Sequence, residues 1–144
     1  MRGKLFFSCI VMLFICACTA RQQKQGSRVV KFEYKGYGDT TVALIEGNVY
    51  EITHHDDITD TVPVVNVELN VEQSHKGAFT SSEGFFSIGF TKGTFDVVIR
   101  KAGYQSLKLT NYEADPDQIL FAKIILEKGS GVKTVQLPSR SVTR

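Results

Sequence analysis

Residues 76–104, KGAFTSSEGFFSIGFTKGTFDVVIRKAGY, hold two successive runs in which apolar and polar side chains alternate with a period of two. In the first run Phe86, Ile88 and Phe90 point one way, and Ser87 and Gly89 the other. In the second, Phe95, Val97 and Ile99 alternate with Asp96, Val98 and Arg100. Only a strand places every second residue on one face, so the pattern predicts a half-buried antiparallel sheet with one face on a core. Thr91-Lys92-Gly93-Thr94 separates the runs, with Gly93 where the turn needs a positive φ. The stretch dictates a fold and carries no catalytic chemistry.

Further punctuation extends the pattern. Ile45-x-Gly47-x-Val49 opens it, followed by Pro63-x-x-Asn66-Val67-x-Leu69 and then Ala78-x-Thr80-x-x-Glu83-Gly84-x-Phe86-x-Ile88. Gly93-x-Phe95-x-Val97-x-Ile99 and Ala102-Gly103-Tyr104 complete it. This series, over residues 42–128, resembles the carboxypeptidase regulatory-like domain of Bacteroidetes-type envelope proteins. The resemblance implies an all-β fold: a single antiparallel β-sandwich of about seven strands with transthyretin-like Greek-key connections. It also implies a folding or docking module with no catalytic residues of its own. Where that family often has Asp after the turn Thr, this chain has Ser81, a weaker cap.

The N-terminus is read apart from the fold. Arg2 and Lys4 precede an apolar run over residues 5–17, the length of a signal-peptide core and too short to span a bilayer comfortably. It ends in Ile15-Cys16-Ala17-Cys18, which matches a lipobox. The reading is a signal peptide over 1–17, cleavage after Ala17 and lipidation of Cys18; an unlipidated secretory signal cut after Ala17 or Ala20 is the alternative. More than one acyl chain on Cys18 anchors a protein stably, where a single chain binds only marginally. Removing Arg2 and Lys4 from the 17 basic residues leaves 15 against 15 acidic, so the net charge of +2 belongs to the leader. A neutral chain offers no electrostatic case for nucleic acid. Cys9 and Cys16 depart with the leader, which commits the remaining thiol, Cys18, to lipid and leaves none for a disulfide, metal or nucleophile. Residues 18–28 read as a flexible tether. Thr19 follows Cys18 in place of an inner-membrane retention Asp, and no acidic export run follows, which points to the outer membrane, facing the periplasm.

Beyond the tether, residues 29–34 alternate and read as an extra edge strand or a hairpin partner, with 35–39 as a turn. Lys31 and Lys35 suit an edge that must resist pairing. Residues 53–61, THHDDITDT, read as a polar loop. Pro63 starts a strand with Val65, Val67, Leu69 and Val71 inward. Leu107 and Leu109 continue the core, residues 111–118 read as an acidic loop, and Tyr104 packs at a corner with its hydroxyl on backbone. Leu120, Ala122, Ile124 and Leu126 form a last core face; the opposite face, Ile119, Phe121 and Ile125, is apolar too, which fits a central or covered strand. Residues 129–144 read as a tail in which 132–137 add a short strand.

Three functional readings follow. The first is a lipid-anchored, non-catalytic docking module with an envelope protein partner reached through a sheet edge or end loops. It needs no cofactor. The second is a carbohydrate-binding module, for which Tyr37, Tyr50, Phe85 and Tyr112 are the available aromatics. The third is a metal site on His54, His55, Asp56, Asp57 and Asp60, whose adjacent positions on one extended segment diverge rather than converge. Ser74, Ser81, Ser82 and His75 stand in no nucleophile motif. An isopeptide cross-link is set aside because residues 42–52 contain no Lys.

Overall fold

The computed structural model describes residues 26–36, 41–55 and 58–138. Among them run β1 (Arg28–Gly36), β2 (Ala43–His55), β3 (Ile58–Pro63), β4 (Glu68–Val71), β5 (Gly77–Phe79), β6 (Phe85–Phe90), β7 (Gly93–Arg100), β8 (Ser106–Ala114), β9 (Gln118–Ile125) and β10 (Val132–Gln136). They form two five-stranded sheets packed face to face. The first has the order β1-β9-β2-β3, with β6 also on β2; the second has the order β10-β8-β7-β4-β5. Neighbours distant in sequence, such as β9 beside β2, are the mark of Greek-key connections.

The sandwich departs from the expected pattern in number and direction. Ten strands are present among the described residues, where about seven are expected. Two ladders are parallel, β2 on β9 and β10 on β8. In the first, the length of β2 decides which edge β9 takes: one edge holds β6 with residues 43–48 and β3 with residues 50–55. That edge is full, so β9 takes the other one alone. The second follows from β10 entering at the end where β8 begins, Val132 lying beside Ser106.

β9 is central in the first sheet, between β1 and β2, which accounts for its two apolar faces. β1 is the edge strand that its cations suit. Inward residues of both sheets meet in one core, with Ile45, Phe86, Phe90 and Ile124 from the first sheet against Leu69, Ile99, Leu107 and Leu109 from the second. Leu126 and Leu137, beyond the last residues of β9 and β10, are buried in it as well.

Two core expectations need correction. Val65 is exposed and Val64 buried. Pro63 ends β3 opposite Tyr50 rather than starting a strand. Val64 donates its N–H to the Val49 carbonyl, and Asn66 then turns the chain at φ 53° towards the second sheet. Thr80 closes this crossover from the buried side, accepting from Val67 N–H and donating to the Val64 carbonyl. The second correction is Tyr112, which lies in the core on β8 rather than in an acidic loop. The ladder slips between Phe95 and Val97, so that β8 carries one extra residue there. Asn111 absorbs it at φ 60° and donates its N–H to the Asp96 carboxylate. A bulge of this kind inverts the alternation downstream. Tyr112 therefore points inward, edge-on to Phe90 at 5.0 Å.

Gly47 sits where β2 and β9 approach most closely. A Cβ built there would collide with the Ala122 carbonyl, so only glycine fits. Gly47→Ala is expected to cost roughly 3 kcal/mol, while Gly36→Ala, with open space around it, should change stability by no more than about 0.5 kcal/mol. Urea denaturation of both variants checks the pair, and equal effects would refute the close-approach account. Leu137→Ala should likewise cost about 2–5 kcal/mol as a core deletion, against about 0.5 kcal/mol for exposed Val132→Ala. The same titration decides whether the C-terminal segment belongs to the core.

Candidate interaction surface

The lipidation position Cys18 and the cleavage position Ala17 lie outside the described residues, as do Asp56, Asp57 and Tyr37. The described chain enters at Gly26, and its entry is clamped. The tether reading of residues 18–28 therefore runs too far: Ser27 is fully buried. Its hydroxyl donates to the Gln105 carbonyl (2.7 Å) and accepts from the Glu127 N–H (3.0 Å). Its own N–H donates to Gln105 Oε1, and Arg28 pairs with Glu127 at 2.9 Å. These bonds tie the entry to the start of β8 and the chain just past β9, defining one end of the sandwich. No signal in the polar run TARQQKQGS distinguishes Ser27 from its neighbours.

In the polar segment 53–61, the described residues 53–55 and 58–61 are strand and not loop. β2 continues to His55 and pairs with β3 as far as His55 opposite Ile58. The two strands form a hairpin arm at the end where the chain enters, since Arg28 lies opposite Ile125 and Ile125 beside Tyr50. Every residue of β3 is exposed, and no described residue of the arm from Glu51 onward joins the core. The legible signal was the alternation of Ile58, Asp60 and Val62 with Thr59 and Thr61, all in residue types that favour strands apart from Asp60. The composition masked it.

The arm separates the proposed metal ligands. His54 and His55 are successive strand residues and so face opposite sides. His54 Nδ1 lies 3.2 Å from Thr59 Oγ1 across the hairpin. Among the described residues no group of His, Cys, Asp and Glu gathers as a metal site. The sugar-stacking aromatics are scattered as well. Tyr112 is core, Tyr50 lies under the Lys123 ammonium at 5.1 Å, and Phe85 is exposed.

Where the arm leaves the sandwich, Glu51 receives the Tyr104 hydroxyl at 2.7 Å and the Lys128 ammonium at 3.7 Å. Tyr104 thus serves a carboxylate and not the backbone. It braces the root of the arm against the second sheet. Burial, with the Glu51 carboxylate added, pushes the Tyr104 phenol up to about 12. The serines are structural. Ser81 and Ser82 both donate to Glu83, and these bonds hold the Glu83 carboxyl below the usual carboxylate range. Ser81 Oγ also accepts from the N–H groups of Glu83 and Phe85, capping the turn that a family Asp would cap. At the far end an open hollow of about 300 Å³ is lined by Lys92, Thr94, Glu113, Asp115 and Gln118. No Ser, Cys or His is among its lining residues.

Because the folded state holds the Tyr104 proton more tightly than the unfolded chain, this group's stabilisation is complete below pH 10 and is lost as pH rises through about 12. Burial raises the Tyr112 phenol in the same direction. Tyr104→Phe should therefore flatten the fall in stability over that alkaline window without abolishing it. Urea midpoints measured across the window check this, and a slope as steep as wild type would show that Tyr104 is not the titrating group.

No protein-family model matches the chain, and no curated protein does. Among solved structures, the chain is similar to a chain in each of two interface mutants, N-terminal and C-terminal, of a type II cohesin–X-dockerin complex from Acetivibrio cellulolyticus. Each match has 21% identity and a TM-score of 0.48, and covers 60% of this chain and 58% of the other. This chain therefore matches less than two thirds of those chains, and its fold class rests on its own two sheets.

Proposed function

We propose that this protein is a lipid-anchored, non-catalytic envelope module of carboxypeptidase regulatory-like type that docks an envelope protein through its β2–β3 arm. The observation that carries the reading is the arm itself. An isolated two-stranded hairpin is marginal in water. Here one is held out from the sandwich by the extra length of β2 and contributes nothing to the core. Ile58 and Val62 are exposed on it, and the outer edge of β3 pairs with no described strand. A free edge with alternating side chains is the surface to which an extended segment of a partner adds.

The place of the arm supports a membrane-side partner. It projects from the end at which the chain enters, and residues 19–25 are all that separate Cys18 from Gly26. Fully stretched, that segment reaches about 28 Å. A lipid on Cys18 then holds the arm near the bilayer, in this reading the outer membrane on its periplasmic side, and the partner is a protein presented there.

Photo-crosslinkers at Ile58 and Val62 of the full chain in its native membranes should capture one and the same envelope protein. A crosslinker at Lys92, at the opposite end, should not. Cys18→Ala should move the protein from the membrane to the soluble fraction. If all three positions give the same products or none, the arm is not the docking element. If Cys18→Ala stays membrane-bound, the anchor assignment is wrong.

A further inference from the structure

β1 presents a free edge of another kind. It closes the first sheet, and among the described residues no strand pairs with its outer side. The edge carries two exposed apolar side chains, Val30 and Phe32, the latter 39% exposed although it lies opposite buried Ala122. Lys31, Glu33 and Lys35 stand on the solvent face, with Lys31 Nζ 3.0 Å and Lys35 Nζ 4.0 Å from Glu33. Single charges on an edge deter pairing. The order in which these three stand makes the deterrence depend on register.

Two copies of β1 can meet antiparallel about a two-fold axis, and the axis position sets what faces what. With the axis at Glu33, each Lys31 meets a Lys35 and the glutamates meet each other, so every charged pair repels. With the axis at Phe32, Lys31 of each copy faces Glu33 of the other, twice over. The two Phe32 rings then lie directly opposite, while Val30 falls at the irregularity between Val29 and Lys31. In this register, opposite charges and aromatic residues are the cross-strand pairs that stabilise a ladder, and exposed Phe32 is covered. We infer that the β1 edge is a homodimer interface, in which two copies pair antiparallel about Phe32 and join their first sheets into one. A closed two-fold contact of this kind consumes the β1 edge of each copy and does not propagate through it.

The charges supply the test, because they can be exchanged without touching the core. The full chain carrying Cys18→Ala, studied by sedimentation equilibrium, should show a monomer–dimer equilibrium. Lys31→Glu or Glu33→Lys alone should each weaken it about tenfold, as like charges then face each other twice. Thermal stability of each monomer should change little, since the ion pairs within the chain that are lost at Glu33 are exposed. The double variant Lys31→Glu/Glu33→Lys should dimerise like the parent. An equimolar mixture of the two single variants should form a heterodimer, because each then meets its opposite. A parent that stays monomeric overturns the proposal, as does a dimer indifferent to charge reversal or a mixture that fails to associate. None of these readouts depends on the arm or on the lipid.

Discussion

The contact between Gly47 of β2 and Ala122 of β9 is the one on which the rest depends. β2 is the only described strand bonded along both edges to three others. It takes β6 and then β3 on one side and β9, in parallel, on the other. A side chain at the crossing would force β9 away and unseat β1, which has no other partner in the sheet. Glycine ordinarily weakens a strand interior. That local cost is accepted here for backbone contact between two buried strands.

The length of β2 has a second consequence. Its first half, Ala43 to Val49, supplies buried residues at every second position. Beyond Tyr50 the second sheet no longer covers it. The chain continues as an arm braced at its root by the Tyr104–Glu51–Lys128 cluster and pinned nearby by Ser27. Core, arm and chain entry are therefore set by one strand and the bonds around its midpoint. A polar, exposed element survives because its backbone pairing begins inside a rigid sheet.

What the sequence made legible follows from the range of each interaction. β6 and β7 alternate because their inward and outward faces differ, and their turn is short, so pattern and partner are both local. β9 reads as apolar on both faces because it lies between two strands and under long side chains. The misreadings are those in which a distant partner decides. Tyr112 looks like a loop residue until Asn111 and Asp96 form the bulge that inverts it. Val65 looks inward until the turn at Asn66 substitutes Val64 for it. The parallel order of β2 and β9 spans the 62 residues between His55 and Gln118 and has no local signature. Leu137 is one leucine in a basic, serine-containing tail, and only the parallel seat of β10 beside β8 shows why it is buried. For the candidate surface, the THHDDITDT composition hid the strand alternation that residues 58–62 carry.

The two proposed surfaces are compatible because of where the first sheet ends. β1 and β3 are its opposite edges, with β9 and β2 between them. Pairing through β1 would therefore leave both arms on the outer flanks of a joined sheet, each still open along β3. The two-fold axis would run perpendicular to the joined sheet, between the two β1 strands, and the chain-entry ends of the two copies would point in opposite senses along the sheet. Only one copy of such a pair could place its entry end, and hence its arm, against a given membrane at the distance a short tether allows. The dimer would suit protein free of the membrane or bridging two surfaces, and anchoring would favour the monomer with its β1 edge exposed. On the proposed reading, membrane attachment and self-pairing would compete for the same molecule, and the edge charges, which set the register and strength of the pairing, would decide how readily the dimer gives way.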